Sequence, residues 1–416
     1  MKRNPDWIRR AILTKLKVIA MSSEVLMVGN SVNSGTSRRL ISVIILNYNG
    51  REHLEVCLSS VGDLSFPKED LEIIVVDNAS TDDSVDFLAS EFPNVVLVQN
   101  EVNLGFSRAA NRGAANANGE YLAFLNNDMR VDKDWLSSML EAVRSGQFAC
   151  VGSTVLNWEG TAVDFMGRRD DPFCLGHAHS DRTFLSSSDA GGPTFHTLFV
   201  SGGAAIFRRE VFQSLGGFDP DFFLYHEDVD LGWRLWLQGY ECTVSTESLV
   251  YHRGGATSSR LTPEFLQTLS QKHALFSVFK NLEARNLREV LPLLLFFLLE
   301  RGRLIPAARS SLEPATREFQ SSLDSLIAKR NKVQATRTRS DAEIFEIVGH
   351  PFNFLLQEGS YEPVRQRLVD CSADIGFDPT SVESARAAIA EWLNRAHFLY
   401  ESNLAAELEL VLVRET

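Results

Sequence analysis

The sequence predicts an α/β chain, with a mainly parallel sheet between helices followed by a helical C-terminal region. Three observations carry this. Short continuous apolar runs recur between residues 41 and 125, as strands buried on both faces require. Segments with apolar residues at helical spacing separate them, and that alternation is the order of a sheet covered on both sides. Beyond Pro263 the strand patterns stop and helical patterning continues.

Taken in order, residues 29–39 are polar and turn-rich, a linker by composition. Ile41–Leu46 is the first strand. Arg51–Val61 repeats Leu54, Cys57, Leu58 and Val61 at helical spacing. Leu71–Val76 is a strand, Ser84–Phe92 a helix, Val95–Val98 a strand and Ser107–Ala117 a helix of small residues. Tyr121–Leu125 is a strand, and Asp132 caps a helix that runs to Arg144. Residues 157–195 are irregular and rich in Gly, Asp, Ser and His, as a long functional loop would be. Regular patterning resumes at Thr197–Phe207 and continues to His252. Val290–Leu299 is a solid apolar run flanked by Arg285, Arg288, Arg301 and Arg303. Ten helical residues span about 15 Å, too short for a bilayer core of roughly 30 Å. The run either lies in a membrane interface or is a buried core helix. The expected organisation is an N-terminal extension over 1–38, a catalytic domain over 39–280 and a helical region over 281–416.

With 416 residues, 44% of them hydrophobic, the chain can bury a core for one large domain with an appendage, or for two domains. A formal charge of −13 argues against a general nucleic-acid binder, which would present a basic face. Cys57, Cys150, Cys174, Cys242 and Cys371 are odd in number and form no C-x-x-C pair, so a reducing, cytoplasmic setting is expected. Residues 1–20 carry six Lys/Arg among apolar residues. They read either as a basic amphipathic helix on an anionic membrane surface or as an extension that precedes the true start at Met21.

Polar residues gather where strands end: Asn47 to Asn49, Asp77 to Asp82, and Asn126 to Asp128. Ligands of open α/β sheets bind at the carboxyl ends of strands. A second acidic group, Glu227, Asp228 and Asp230, sits in the first turn of an amphipathic helix anchored by Leu231 and Leu235 and stopped at Gly239. One site can hold a metal and the other a general base. The first strand leads into Asn-Tyr-Asn-Gly with no G-x-G-x-x-G, which excludes a dinucleotide-dependent oxidoreductase. A sugar nucleotidyltransferase would need a glycine-rich, lysine-bearing loop there, and none is present.

Several motifs stand in a fixed order: Ser42 to Gly50, Ile74 to Asp82, Asn103 to Ser107, Leu125 to Asp128, Gly216 to Asp219, Glu227 to Leu231 and Tyr251 to Gly255. Together they resemble family 2 glycosyltransferases of the GT-A fold, in particular the rhamnosyltransferase-like enzymes of bacterial cell-surface glycans. The resemblance covers residues 40–280. It implies an inverting, metal-dependent transfer from a UDP- or dTDP-sugar, dTDP-rhamnose among them, to a glycan or lipid-linked acceptor at the inner face of the membrane. The alternative is a non-catalytic subunit that binds a nucleotide-sugar within a glycan assembly complex.

Within that resemblance, Asn47, Tyr48, Asn49, Asp77, Asn78, Asn103 and Asn127 would surround the nucleotide. Without the other motifs, Asp77 to Ser80 would read as a turn and helix cap. The free N–H groups of the helix after Asn103 could also face the nucleotide. Asn126-Asn127-Asp128 stands where the family carries Asp-x-Asp, so only Asp128 supplies charge. Asp128 and His252 would hold Mg²⁺ or Mn²⁺ with the donor diphosphate; otherwise His252 is a strand-end surface residue. Asp228 is the candidate base, with Glu227 and Asp230 as rivals that could instead position the acceptor or cap the helix. Gly202 and Gly203 would let the donor sugar approach the backbone, or mark a bulge. His177 and His179, in the irregular loop, read as polar surface.

Overall fold

The strand ends that carry the polar motifs are brought into register by a twisted sheet. In the computed structural model the described residues are 40–144, 148–165, 180–181, 194–254, 261–304, 306–349, 370 and 374–415. The basic N-terminal segment, His177 and His179 lie outside them. The first half follows the periodicity of the sequence within about two residues: β1 (Ile41–Asn47), α1 (Arg51–Gly62), β2 (Leu71–Asp77), α2 (Ser84–Glu91), β3 (Val96–Gln99), α3 (Gly105–Asn116) and β4 (Tyr121–Asn126). These strands pair in parallel in the order β3-β2-β1-β4. Asn47 lies opposite Asp77, and Leu46 opposite Asn126.

The second half departs from the expected pattern. It comprises β5 (Met129–Val131), α4 (Trp135–Arg144), β6 (Phe148–Asn157), β7 (Ala162–Phe165), β8 (Ser180–Asp181), β9 (Thr194–His196), β10 (Ala204–Arg208), α5 (Arg209–Ser214), α6 (Glu227–Leu237) and β11 (Glu241–His252). The sheet continues from β4 as β10-β6-β11-β5. β6 and β11 are parallel, but β10 runs antiparallel to both its neighbours and β5 antiparallel to β11. The sheet is therefore mixed, not mainly parallel throughout. Apolar patterning overlooks β6 because buried Ser153 and Thr154 interrupt it. Both are satisfied across the fold: Trp135 Nε1 donates to Ser153 Oγ (2.9 Å), and Thr154 Oγ1 donates to the Ser245 carbonyl (3.0 Å). A buried hydroxyl with a partner is compatible with a central strand.

The C-terminal helices are α7 (Pro263–Asn281), α8 (Ala284–Leu304), α9 (Pro306–Ser321), α10 (Leu323–Ala335), α11 (Asp341–Val348) and α12 (Val382–Glu415). Thr262 caps α7 by accepting from Phe265 N–H, and Ser340 with Glu343 forms a capping box on α11. Leu291, Leu294, Leu295 and Leu298 of the apolar run are fully buried. They belong to the same hydrophobic cluster as Trp233, Leu235 and Trp236 of α6. Of the two readings of 290–299, the structure has the core helix; its apolar face is not free to enter a bilayer. Among the described residues no helix is long and apolar enough to cross a membrane. Arg38–Thr416 form one compact unit, in which one face of the sheet shares its core with these helices. The other face is covered by α1 and α4 around Leu54, Leu58, Trp135 and Met139.

Candidate active site

Four loops at the carboxyl ends of β1, β2, β4 and β11 meet at one rim. Asn47 is their hub. Its Nδ2 donates to Asp77 Oδ1 (3.0 Å) and Ser80 Oγ (3.2 Å), and its Oδ1 accepts from Asn127 Nδ2 (2.7 Å). Asp77 Oδ2 accepts Ser80 N–H, and Ser80 Oγ accepts Asn49 N–H (2.8 Å). Asn49 Oδ1 in turn accepts Thr81 N–H (2.6 Å). Five polar side chains from three strand ends thus order one another, leaving lone pairs of Asp77 for a ligand. Gly50 is required here: a Cβ would lie 1.9 Å from Asn127 Nδ2. Gly50→Ala should cost about 1–3 kcal/mol as an overpacking change and displace Asn127 from Asn47. Thermal melts with and without nucleotide check both effects; an unchanged melt would show that the loop yields freely.

Asn78 and Asn103 form a separate brace. Asn78 Nδ2 donates to Asn103 Oδ1 (2.8 Å) and the Gly105 carbonyl, while its Oδ1 accepts from Asn100 Nδ2 and Leu104 N–H (both 2.9 Å). The Asn78 amide is committed to shaping the 100–105 loop, which corrects the expectation that it binds nucleotide through that group; Asn103 Oδ1 is engaged in the same brace, accepting from Asn78 Nδ2 and Gly105 N–H. At the start of α3, Phe106 N–H donates to the Phe223 carbonyl (2.7 Å). That end of the helix is tied to the acidic turn and does not present this N–H to a ligand. Tyr48 is half-buried beside the Asn47 hub.

Asp128 and His252, 124 positions apart in the chain, come together because β5 pairs with β11. His252 Nε2 lies 3.4 Å from Asp128 Oδ2. His252 Nδ1 lies 2.9 Å from Asp164 Oδ2, on β7. Burial alone would lower the pKa of this imidazole, but hydrogen bonds and charge from Asp128 and Asp164 raise it to about 9. A cation would displace the proton from Nε2, while the Asp164 carboxylate holds the one on Nδ1. Asp164 was not singled out from sequence; it sits in the irregular stretch with no motif around it. Among the described residues no group of three or more His, Cys, Asp or Glu could hold an ion alone. Asp128 and His252 fit a hard divalent cation only if phosphate oxygens of a substrate complete its shell, as Mg²⁺ sites commonly allow.

The acidic turn is strained and partly buried. Tyr225 and His226, the two residues before α6, both have positive φ (68° and 65°), a conformation costly for non-glycine residues and frequent at functional sites. His273 of α7, fully buried, holds the turn. Its Nδ1 faces the Leu224 and Tyr225 carbonyls at 2.9 and 3.0 Å, so that nitrogen must carry the proton. Burial, with the nearby charges of Lys272 and His226, keeps this imidazole well below its usual pKa and neutral. Asp228 is then half-buried. Its Oδ2 accepts Gly202 N–H (3.2 Å) and its Oδ1 accepts Val229 N–H (2.8 Å). Burial raises its pKa, against the opposing pull of these bonds. Burial and the adjacent Asp228 charge raise Glu227 further, and Glu227 Oε2 is buried without a hydrogen-bond partner.

Gly202 and Gly203 link this turn to the metal-side loop. Gly202 receives Asp228, and a Cβ at Gly203 would lie 2.4 Å from Asn126 Cγ. The Gly203 carbonyl accepts Asn126 N–H (2.9 Å). The two acidic motifs are therefore one short turn apart. Asp230 is a correction. It has no exposed surface and is spent on Arg234 Nε (2.8 Å), Lys280 Nζ (2.6 Å) and Asn281 Nδ2 (3.0 Å). Three residues past Glu227, it faces the C-terminal helices and ties α6 to α7. With no exposed surface, its carboxylate is not open to a donor or an acceptor.

A polar rim on a half-parallel sheet, joined by a two-glycine turn to a buried Glu227 and a half-buried Asp228, is built on a GT-A-type fold. A solved structure of GalNAc-T7 with UDP, GalNAc and Mn²⁺ shares the fold: TM-score 0.53 at 16% identity, covering 86% of this chain and 68% of that one. Residues 42–216 match the sequence model of glycosyl transferase family 2. Among curated relatives, the O-antigen biosynthesis protein RfbC of Myxococcus xanthus is 32% identical over 46% of this chain but only 16% of its own length. The N-acetylglucosaminyl-diphospho-decaprenol L-rhamnosyltransferase of Mycobacterium tuberculosis is 26% identical over 52% of this chain and 78% of its own.

Proposed function

We propose that this protein transfers a sugar, with inversion, from a UDP- or dTDP-sugar to a hydroxyl of a glycan or lipid-linked acceptor in cell-surface polysaccharide synthesis. The observation that carries the reading is the Gly202–Gly203 turn, which joins Asp228 to the Asn126–Asp128 loop. The Asn47–Asp77 network would seat the nucleobase, and Asp77 can accept from a pyrimidine imide. Asp128 and His252 would hold a divalent cation, which when bound neutralises charge on the departing diphosphate. Asp228 would take the acceptor proton as the acceptor oxygen bonds to the anomeric carbon and the bond from that carbon to the diphosphate oxygen breaks. One base and one leaving-group site imply a single displacement. Similarity to an O-antigen biosynthesis protein and to an L-rhamnosyltransferase supports an acceptor in surface-glycan assembly and rhamnose among the sugars transferred. A peripheral membrane contact now rests on residues 1–20 alone.

Thermal shift with UDP, dTDP, GDP and CMP, each with and without Mn²⁺, tests this. Saturable binding at a hundredfold excess over Kd raises stability by about 2.7 kcal/mol. A Mn²⁺-dependent shift with UDP or dTDP, abolished in Asp128→Ala, is expected. No shift with any of the four, in folded protein, would favour a non-catalytic or partner-dependent subunit.

A further inference from the structure

The rim holds a basic group that the nucleotide, metal and base assignments do not use. Arg130 of β5 and Arg253, which follows β11, both stack on Trp158 at the end of β6. Their guanidinium carbons lie 5.0 and 4.4 Å from that ring's centroid. Arg130 also stacks on Tyr251 at 3.8 Å and donates from Nη2 to the Trp158 carbonyl (3.1 Å). Cation–π contact holds each guanidinium in place, yet two like charges on one ring repel. Among the described residues neither arginine has a carboxylate partner, in a chain with 54 Asp and Glu. Arg253 is exposed, and its N–H donates to the Asp128 carbonyl (3.1 Å), so the pair adjoins the proposed metal site.

The side of the sheet matters. Along β11 and β5, Val250, Met129 and Val131 point into the core beneath α1 and α4. Tyr251 packs against the opposite cluster, the one that contains α6, and Arg130 is its cross-strand partner. The basic pair is therefore on the face that carries Asp228, at the sheet edge away from the Asn47–Asp77 pocket. An acceptor approaching Asp228 reaches this face.

We infer that Arg130 and Arg253 form an anion subsite that binds a phosphate or diphosphate ester on the acceptor. Planar guanidiniums pre-fixed by stacking suit bidentate contact with phosphate oxygens. A local basic pair also offsets the repulsion that a net charge of −13 imposes on an anionic acceptor. The inference rests on the proposed transferase reading for its choice of acceptor over donor.

Trp158 lies between the arginines and reports on them. Tryptophan fluorescence of the full chain is titrated with inorganic pyrophosphate and with geranyl diphosphate, without nucleotide and at saturating UDP or dTDP with Mn²⁺. Trp158→Phe assigns the signal. Saturable binding of geranyl diphosphate that persists beside the nucleotide is expected, weakened tenfold or more in Arg253→Gln, which loses a charge-assisted contact. Arg130→Lys, which keeps charge but not the planar fork, should bind at an intermediate level, while nucleotide affinity stays unchanged in both variants. Competition between geranyl diphosphate and nucleotide would assign the pair to the donor diphosphate and overturn the inference. Equal binding by wild type and Arg253→Gln would do the same. If no nucleotide binds, the transferase reading fails, while the nucleotide-free titration still decides whether the arginines bind the diphosphate.

Discussion

Asp228→Asn is expected to lower turnover by about 10² to 10⁴, the usual worth of general-base help, with nucleotide binding and melting temperature close to wild type. Turnover is read as nucleoside diphosphate release. The substitution keeps the shape of a side chain that accepts from Gly202 and Val229 N–H groups, and so removes the basic lone pair with little disturbance to the turn. Burial raises Asp228 above the ordinary aspartate range. A base must be ionised to act, so activity should be full above this raised value and fall as pH drops through it. The acid limb of the pH profile then lies above the usual aspartate value of about 3.9. Glu227→Gln is the control. Glu227 is raised well above its usual range by burial and the Asp228 charge, its Oε2 has no hydrogen-bond partner, and its amide should be far less damaging. The opposite ranking, with Glu227→Gln inactive and Asp228→Asn active, would transfer the base role to Glu227.

Lys280→Met is expected to give the largest loss of stability, about 3–5 kcal/mol, as for removing one partner of a buried ion pair. Lys280 is 1% exposed and bridges Asp230 of α6 (2.6 Å) to Asp219 (2.5 Å). Asp219 also pairs with Lys329 of α10, which reaches Asp221 (2.6 Å). Arg234 and Asn281 remain on Asp230 in the variant, which favours the lower end of the range. Adding Asp230→Asn should recover part of the loss, because it removes the charge left unpaired; a chemical-denaturation double-mutant cycle measures that coupling. Full additivity of the two substitutions would show that the bridge contributes nothing as a pair. The same network sets the response to acid. Burial opposes ionisation of Asp219, but Lys280 and Lys329 hold it well below the usual range. Its contribution is therefore present above the unfolded value of about 3.9 and is lost as pH falls through the lower folded value.

The network also explains the helical region. α7 delivers His273 to the strained Tyr225–His226 turn and Lys280 to Asp230, so the helices hold α6 from behind. Sequence patterning marked this region as helical but did not say which of its charged and polar residues are buried. Lys280, Asn281, Arg330 and Asp341 are in fact buried.

The sequence by itself determined the alternation of strands and helices in the first half, the helix stop at Gly239, and the polar residues at the ends of β1, β2 and β4. Those are local properties, since apolar spacing and turn chemistry act within a few residues. Through the resemblance carried by motifs in order it also singled out Asp128, His252 and Asp228 as candidates, and it left Gly202 and Gly203 open between a close sugar approach and a bulge. Only the tertiary structure decided the rest. β10 inserts antiparallel between β4 and β6, a choice of pairing that no local pattern encodes. Asp230, one of three similar carboxylates in a single turn, faces Lys280 because helical rotation turns it away from Asp228. Asp164 meets His252 across 88 positions, and the apolar run at 290–299 is core rather than surface. Each of these depends on which distant side chain supplies the partner charge or the covering apolar face, and that is fixed only when the sheet and helices have packed.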